Sequence, residues 1–154
     1  MLNDIVFVFQ SSPWLFFTTV LFFGLCVGSF LNVVAYRLPL MMERDWKLEC
    51  HEFLELEAPV MDDRLKIINL STPASACPNC GHNLRFWENI PVISYLFLRA
   101  KCSSCHTAIS IQYPTVELIT GIASLVTAFT FGVTLQTLAA LFFTWILIAL
   151  TLID

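Results

Sequence analysis

Five residues in this chain of 154 could do chemistry: Cys77, Cys80, Cys102 and Cys105, arranged as two Cys-x2-Cys pairs, and Asp154 at the end of a long apolar run. Each Cys-x2-Cys forms a knuckle that can aim two sulfurs at one tetrahedral cation, and four thiolates close the coordination sphere. Such a centre is structural, since no position is left open for water. Residues 81–101 separate the pairs, slightly more than the usual interval for a four-thiolate zinc site. Gly81, directly after Cys80, is expected to let its turn close without a Cβ clash. His82 and His106 flank the pairs but are read as bystanders beside four cysteines. Cys26 and Cys50 lack partners at useful spacing and are read as ordinary residues.

These groups sit in a strongly apolar chain. Hydrophobic residues make up 57%, 14 of the residues are Phe, and the net charge is −4, so no nucleic-acid partner is expected. All eight Lys and Arg fall between Arg37 and Lys101. Ile5–Tyr36 and Leu118–Ile153 carry no charge at all. A helical crossing needs about 20 apolar residues, because intrahelical bonds alone satisfy the backbone in lipid. Trp14–Tyr36 fits one span. The second run is too long for one and breaks near Gly132, which predicts a hairpin of spans over Val116–Val133 and Leu135–Ile153.

The fold class expected is therefore an all-α polytopic membrane protein with a small cytoplasmic zinc-binding loop domain built on four cysteines. Its parts are a periplasmic N-terminus (1–13), a first span (14–36), a cytoplasmic domain (37–115) holding the zinc module (77–105), and spans at 116–133 and 135–154. Arg37, Arg44, Lys47, Arg99 and Lys101 flank the spans on the central side, which puts that block in the cytoplasm. The N-terminal stretch has no cation before its apolar run, so it is expected to be a retained anchor and not a cleaved signal peptide. A reducing compartment favours zinc over disulfides, and no βαβ pattern supports a redox pair.

Gly24, Gly28 and Asn32 recur on one helix face with Ser29 adjacent, a surface for close helix packing. Ile90–Leu98 is too short to span; it reads as a small core for the zinc module, with docking on the membrane surface as the alternative. Glu49, Glu52 and Glu55, within the acidic run Glu43–Asp63, have near-helical spacing and read as a solvated face, with attraction of basic peptides as the sharper use. By position alone, Asp154 is an interfacial carboxylate without a chemical role.

Gly28-Ser-Phe-Leu-Asn-Val-Val34 with Arg37-Leu-Pro39 resembles the signature of the type IV prepilin peptidases. The likeness continues through Cys77-Pro-Asn-Cys80, Asn89-Ile-Pro-Val-Ile-Ser-Tyr-Leu96, Cys102-Ser-Ser-Cys105 and Tyr113-Pro-Thr-Val-Glu-Leu-Ile-Thr-Gly121. Arg99-Ala100-Lys101 and Gln112 depart from the family pattern, which has Arg-Gly before the second pair and Arg before Tyr-Pro; these changes touch loop geometry and leave the thiolates intact. The resemblance implies a multi-pass protein of the bacterial inner membrane. Its implied activity is aspartic proteolysis after a Gly ending the basic leader of prepilins and type II secretion pseudopilins, followed by N-methylation with S-adenosylmethionine.

The resemblance also makes Leu152-Ile153-Asp154 the first catalytic aspartate segment. The family's second aspartate lies in Gly-x-Gly-Asp, which this sequence lacks. The chain is thus expected to be the N-terminal segment of a longer enzyme, inactive alone, whose missing transmembrane part carries the second aspartate. No Gly-rich loop for an adenosyl cofactor is seen, so that cofactor enters through the resemblance only. The competing readings are a membrane-anchored zinc adaptor in a secretion or pilus assembly, and a Cys-x2-Cys thiol oxidoreductase.

Overall fold

The computed structural model describes residues 2–57 and 67–154, and within them the regular structure is helical. A short helix α1 (Leu2–Ser11) leads into α2 (Pro13–Phe53), which is 41 residues long. The break is local chemistry: Ser12 leaves helical geometry at φ −133°, and Pro13 restarts the helix where its missing N–H costs nothing. At 1.5 Å per residue α2 is about 60 Å long, roughly twice the hydrocarbon thickness of a bilayer.

The expected span Trp14–Tyr36 therefore forms only the first part of α2. The helix does not stop at the first cation, because Leu, Met, Glu, Arg and Lys dominate residues 40–52 and are good helix formers. Glu43 and Lys47 add an ion pair of 2.7 Å one turn apart. Pro39 lies inside the helix and removes one backbone donor without ending it. Glu49 and Glu52 lie on its last turns, but Glu55 falls past the C-cap with φ 53°. The acidic spacing is thus helical over two of its three members. Asp62 and Asp63 lie outside the described residues.

After a 3₁₀ turn (Phe86–Asn89) and a five-residue helix α3 (Ile93–Phe97) come α4 (Gln112–Phe131) and α5 (Leu135–Ile153). The reversal between α4 and α5 is tighter than the polar cluster alone implies. Gly132 takes φ 63°, and the Thr134 side chain caps α5 by accepting from the Thr137 N–H. Helices α2, α4 and α5 are each long and apolar enough to cross a membrane.

What joins α2 to α4 is absence of side chain. A Cβ added at Gly28 would stand 2.7 Å from the Cα of Glu117, and one at Gly24 would stand 2.6 Å from Ser124 Oγ and 3.0 Å from the Cα of Gly121. Thr120 and Ser124 are fully buried at this contact, their hydroxyls returned to the carbonyls of Val116 and Thr120. Asn32, on the same stripe, donates to the Tyr113 carbonyl at 3.1 Å. The small-residue face expected from sequence is therefore the seam of the bundle. α5 closes over it through Trp145, whose Nε1 donates to Ser124 Oγ at 2.9 Å, and through a cluster of Phe16, Val20, Ala128 and Leu141.

Replacing Gly28 with Val should force the two backbones apart, since the obstructing atom is main chain and cannot rotate away. The expected loss is about 1–3 kcal/mol, read as a lowered melting midpoint in detergent, whereas Val at exposed Phe30 should shift it little.

Candidate functional site

The two cysteine pairs occupy near-identical knuckles. In the first, the Gly81 N–H donates to the Cys77 carbonyl and the Cys77 N–H to the His82 carbonyl, both at 2.9 Å. In the second, the His106 N–H donates to the Cys102 carbonyl at 3.0 Å and the Cys102 N–H to the Thr107 carbonyl at 2.9 Å. Single antiparallel bridges, Ala76 to Asn83 and Lys101 to Ala108, close each knuckle. The residue after each second cysteine is left-handed, Gly81 at φ 70° and His106 at φ 58°. A Cβ at Gly81 would meet nothing within 4 Å, so the glycine serves its backbone angle and not the relief of a clash expected from sequence.

The knuckles face each other and bring together all four expected sulfurs, every Sγ within 4.8 Å of the others. Cys77 and Cys105 sulfurs are 3.7 Å apart, Cys80 and Cys102 4.0 Å. A tetrahedral ion with Zn–S bonds of about 2.3 Å requires sulfur separations of about 3.8 Å, so the donor set fits. Neither pair begins a helix, which removes the usual activation of a redox cysteine. Cys102 is buried, and neither histidine joins the sulfur cluster.

The thiols share protons unevenly. The Thr107 hydroxyl and amide, then Asn79, hold Cys105 down to about 5. Amides of Cys80 and Asn79 lower Cys77. The His82 amide also favours the Cys80 thiolate, but desolvation and the adjoining sulfurs outweigh it and push Cys80 up to about 11. A divalent cation removes that conflict by replacing the protons.

A ring of polar groups orients the cluster. Asn79 donates to Thr107 Oγ1 at 2.8 Å, crossing from one knuckle to the other. His82 Nε2 lies 3.3 Å from both Glu88 Oε2 and Ser103 Oγ, a second crossing. Glu88 is itself held by the Arg85 amide at 2.8 Å, and its carboxyl is drawn down to about 2, by that amide first and then by Ser103 and His82.

The module is fastened to the bundle by groups that sequence reading places in motifs or among the flanking cations without giving them a partner. Arg37, buried on α2, donates to the carbonyls of Asn69 at 2.9 Å and Pro73 at 2.7 Å. Arg44 reaches the Ile68 carbonyl at 2.9 Å. Glu117, buried on α4 against Gly28, accepts the Val92 N–H at 2.7 Å and is also bonded by the Ser29 side chain. Its signal in the sequence is position: an acid directly bordering the second uncharged run calls for an internal partner.

Asp154 stands apart from the sulfurs. It is the exposed C-cap residue of α5. α5 runs antiparallel to α4, with Trp145 against Ser124, so nine residues later Asp154 is level with the first turn of α4, the end that carries the cysteine module. Cys26 is half-buried and Cys50 exposed, and neither is in a disulfide.

The fit of the sulfurs predicts one zinc per chain by elemental analysis. Cys77→Ser combined with Cys102→Ser should abolish it while the helical content measured by circular dichroism persists. The depressed Glu88 carboxyl predicts that its stabilisation of the module is complete above the ordinary carboxylate range near 4.5 and is lost as pH falls through about 2. Glu88→Gln should flatten that dependence in melting midpoints of the metal-free protein followed from pH 6 down to pH 2.

The family model described as "Bacterial Peptidase A24 N-terminal domain" matches residues 22–131. The chain is 52% identical over 144 residues to the prepilin leader peptidase/N-methyltransferase of Pseudomonas aeruginosa, covering 94% of this chain and 49% of that protein. It is 47% identical over 142 residues to the protein of that name from Aeromonas salmonicida, covering 92% and 48%. For the one from Neisseria gonorrhoeae the figures are 51% over 131 residues, 85% and 45%. The chain thus spans about half the length of the curated relatives it matches. No solved structure matches it. With the knuckles, the glycine seam and the Glu117 segment all inside the matched region, the chain belongs to the A24 peptidases of bacteria, the type IV prepilin peptidases, through their N-terminal domain.

Proposed function

We propose that this chain is the N-terminal part of an inner-membrane aspartic endopeptidase that removes the basic leaders of type IV prepilins and type II secretion pseudopilins after Gly. The observation that carries the reading is Asp154, a carboxylate ending a membrane-length helix at the same end of the bundle as the cysteine module. In this reading the module side is cytoplasmic.

Two adjacent carboxyls cannot both ionise cheaply. One stays protonated and polarises the scissile carbonyl, and the other activates water. Asp154 takes one of those roles, and its mate belongs to the remaining half of the length seen in the relatives. The 154 residues alone are accordingly proposed to have little peptidase activity.

Cys77, Cys80, Cys102 and Cys105 would hold a structural zinc ion, whose charge would bind the two knuckles into one body and leave no site for activating water. The braced module, fastened through Arg37, Arg44 and Glu117, presents the leader to the carboxylates; exposed Glu49 and Glu52 on the projecting part of α2 attract its cations. S-adenosylmethionine supplies the methyl group for N-methylation of the new amine; the described residues contain no Gly-rich phosphate-type loop, and none is assigned to it.

Asp154→Asn in the complete enzyme should cut leader cleavage by on the order of 10²–10⁴-fold with the protein still folded in the membrane. Undiminished maturation of prepilin by that variant would refute the assignment. Loss of zinc from Cys77→Ser with cleavage intact would instead refute only the bracing role.

A further inference from the structure

Ile90–Leu98 is expected from sequence to form a small core of the cysteine module, but none of its residues is buried, nor is any in the 3₁₀ turn that precedes it. Phe97 is 84% exposed, Phe86 81% and Leu96 69%, with Ile93 and Trp87 about half exposed. A water-soluble lobe would not leave these side chains bare on so short a stretch.

The depth of the segment supplies the reason. Its Val92 N–H is bonded to Glu117, which packs on Gly28 of α2. Gly28 lies nine residues before Arg37, the first cation of that helix, or about 13 Å toward the centre of the apolar run. Val92 is thereby held beside the uncharged part of the bundle and not out among the cations.

The backbone suits the same place. Carbonyls within the segment take the N–H groups of Ser94 (at Ile90), Leu96 (at Val92), Leu98 (at Ser94), Arg99 (at Leu96) and Ala100 (at Tyr95), while Glu117 takes the Val92 N–H that no carbonyl receives. These bonds satisfy the helical turn Ile93–Phe97 internally, and Glu117 ties its irregular start to the bundle, as backbone at membrane depth requires. Exposed cations bracket the segment: Arg85, stacked 5.3 Å over Trp87, on one side, and Arg99 and Lys101 on the other. Apolar and aromatic side chains between cations match the acyl region and the anionic headgroups above it.

We infer that Ile90–Leu98 is a re-entrant element inserted into the lipid leaflet on the side of the cysteine module, with Glu117 as its internal anchor, Phe86 and Trp87 at the interface, Glu88 held outside on the module by His82 and the Arg85 amide, and Arg85, Arg99 and Lys101 at the headgroups. The occupant of its apolar face is the bilayer. This placement stands apart from the peptidase reading and survives if Asp154 proves dispensable.

The test is photocrosslinking of the complete enzyme in liposomes of phosphatidylethanolamine and phosphatidylglycerol, with Phe97→p-benzoylphenylalanine, Leu96→p-benzoylphenylalanine and, as control on the projecting end of α2, Glu52→p-benzoylphenylalanine. Mass spectrometry should find phospholipid adducts at positions 96 and 97 and none at 52. Adducts at 96 and 97 to protein, whether the remaining half of the enzyme, a second copy or a bound peptide, would overturn the inference. So would the absence of adducts there, or lipid adducts equally abundant at all three positions. Unchanged circular dichroism spectra establish that the compared variants are folded.

Discussion

The approach of two backbones at Gly24 and Gly28 of α2 and Gly121 and Ser124 of α4 is the constraint on which the rest of the molecule depends. In lipid the hydrophobic effect gives helices no reason to associate, so close van der Waals contact and interhelical hydrogen bonds must hold them. Both are concentrated here. The glycines let Thr120 and Ser124 be fully buried, Ser124 then receives Trp145 from α5, and Asn32 closes the end of the seam on the Tyr113 carbonyl. Glu117 is pressed onto Gly28 by the same contact, and from there it reaches Val92 in the segment between the knuckles.

The cysteine centre solves a different problem. A loop domain of this size buries too little apolar surface to fix its own shape. Two short knuckles, each closed by two backbone bonds and one bridge, depend on converging sulfurs to become one body. The crossing contacts of Asn79 with Thr107 and His82 with Ser103 align the knuckles and bring the four sulfurs to a spacing that fits one cation.

Much of this is legible in the amino-acid order. The sulfur cluster follows from Cys-x2-Cys spacing, the glycine seam from the recurrence of Gly24, Gly28 and Asn32, and the hairpin from Gly132 among polar residues. The extension of α2 to Phe53 is not, because a charge rule marks where a helix leaves lipid and says nothing about where it ends. The missing core of Ile90–Leu98 is not either: apolar composition alone cannot tell a side chain facing protein from one facing acyl chains. Arg37, Arg44 and Glu117 act as fasteners on backbone groups, which carry no sequence signature.

The length of α2 has a mechanical meaning. From Gly28, where it is clamped, to Phe53 the helix is a lever of about 38 Å, so a rocking of about 5° at the seam displaces its tip by roughly 3 Å. Arg37 and Arg44 grip the loop along that lever, which makes the chain leading to the cysteine knuckles a follower of α2.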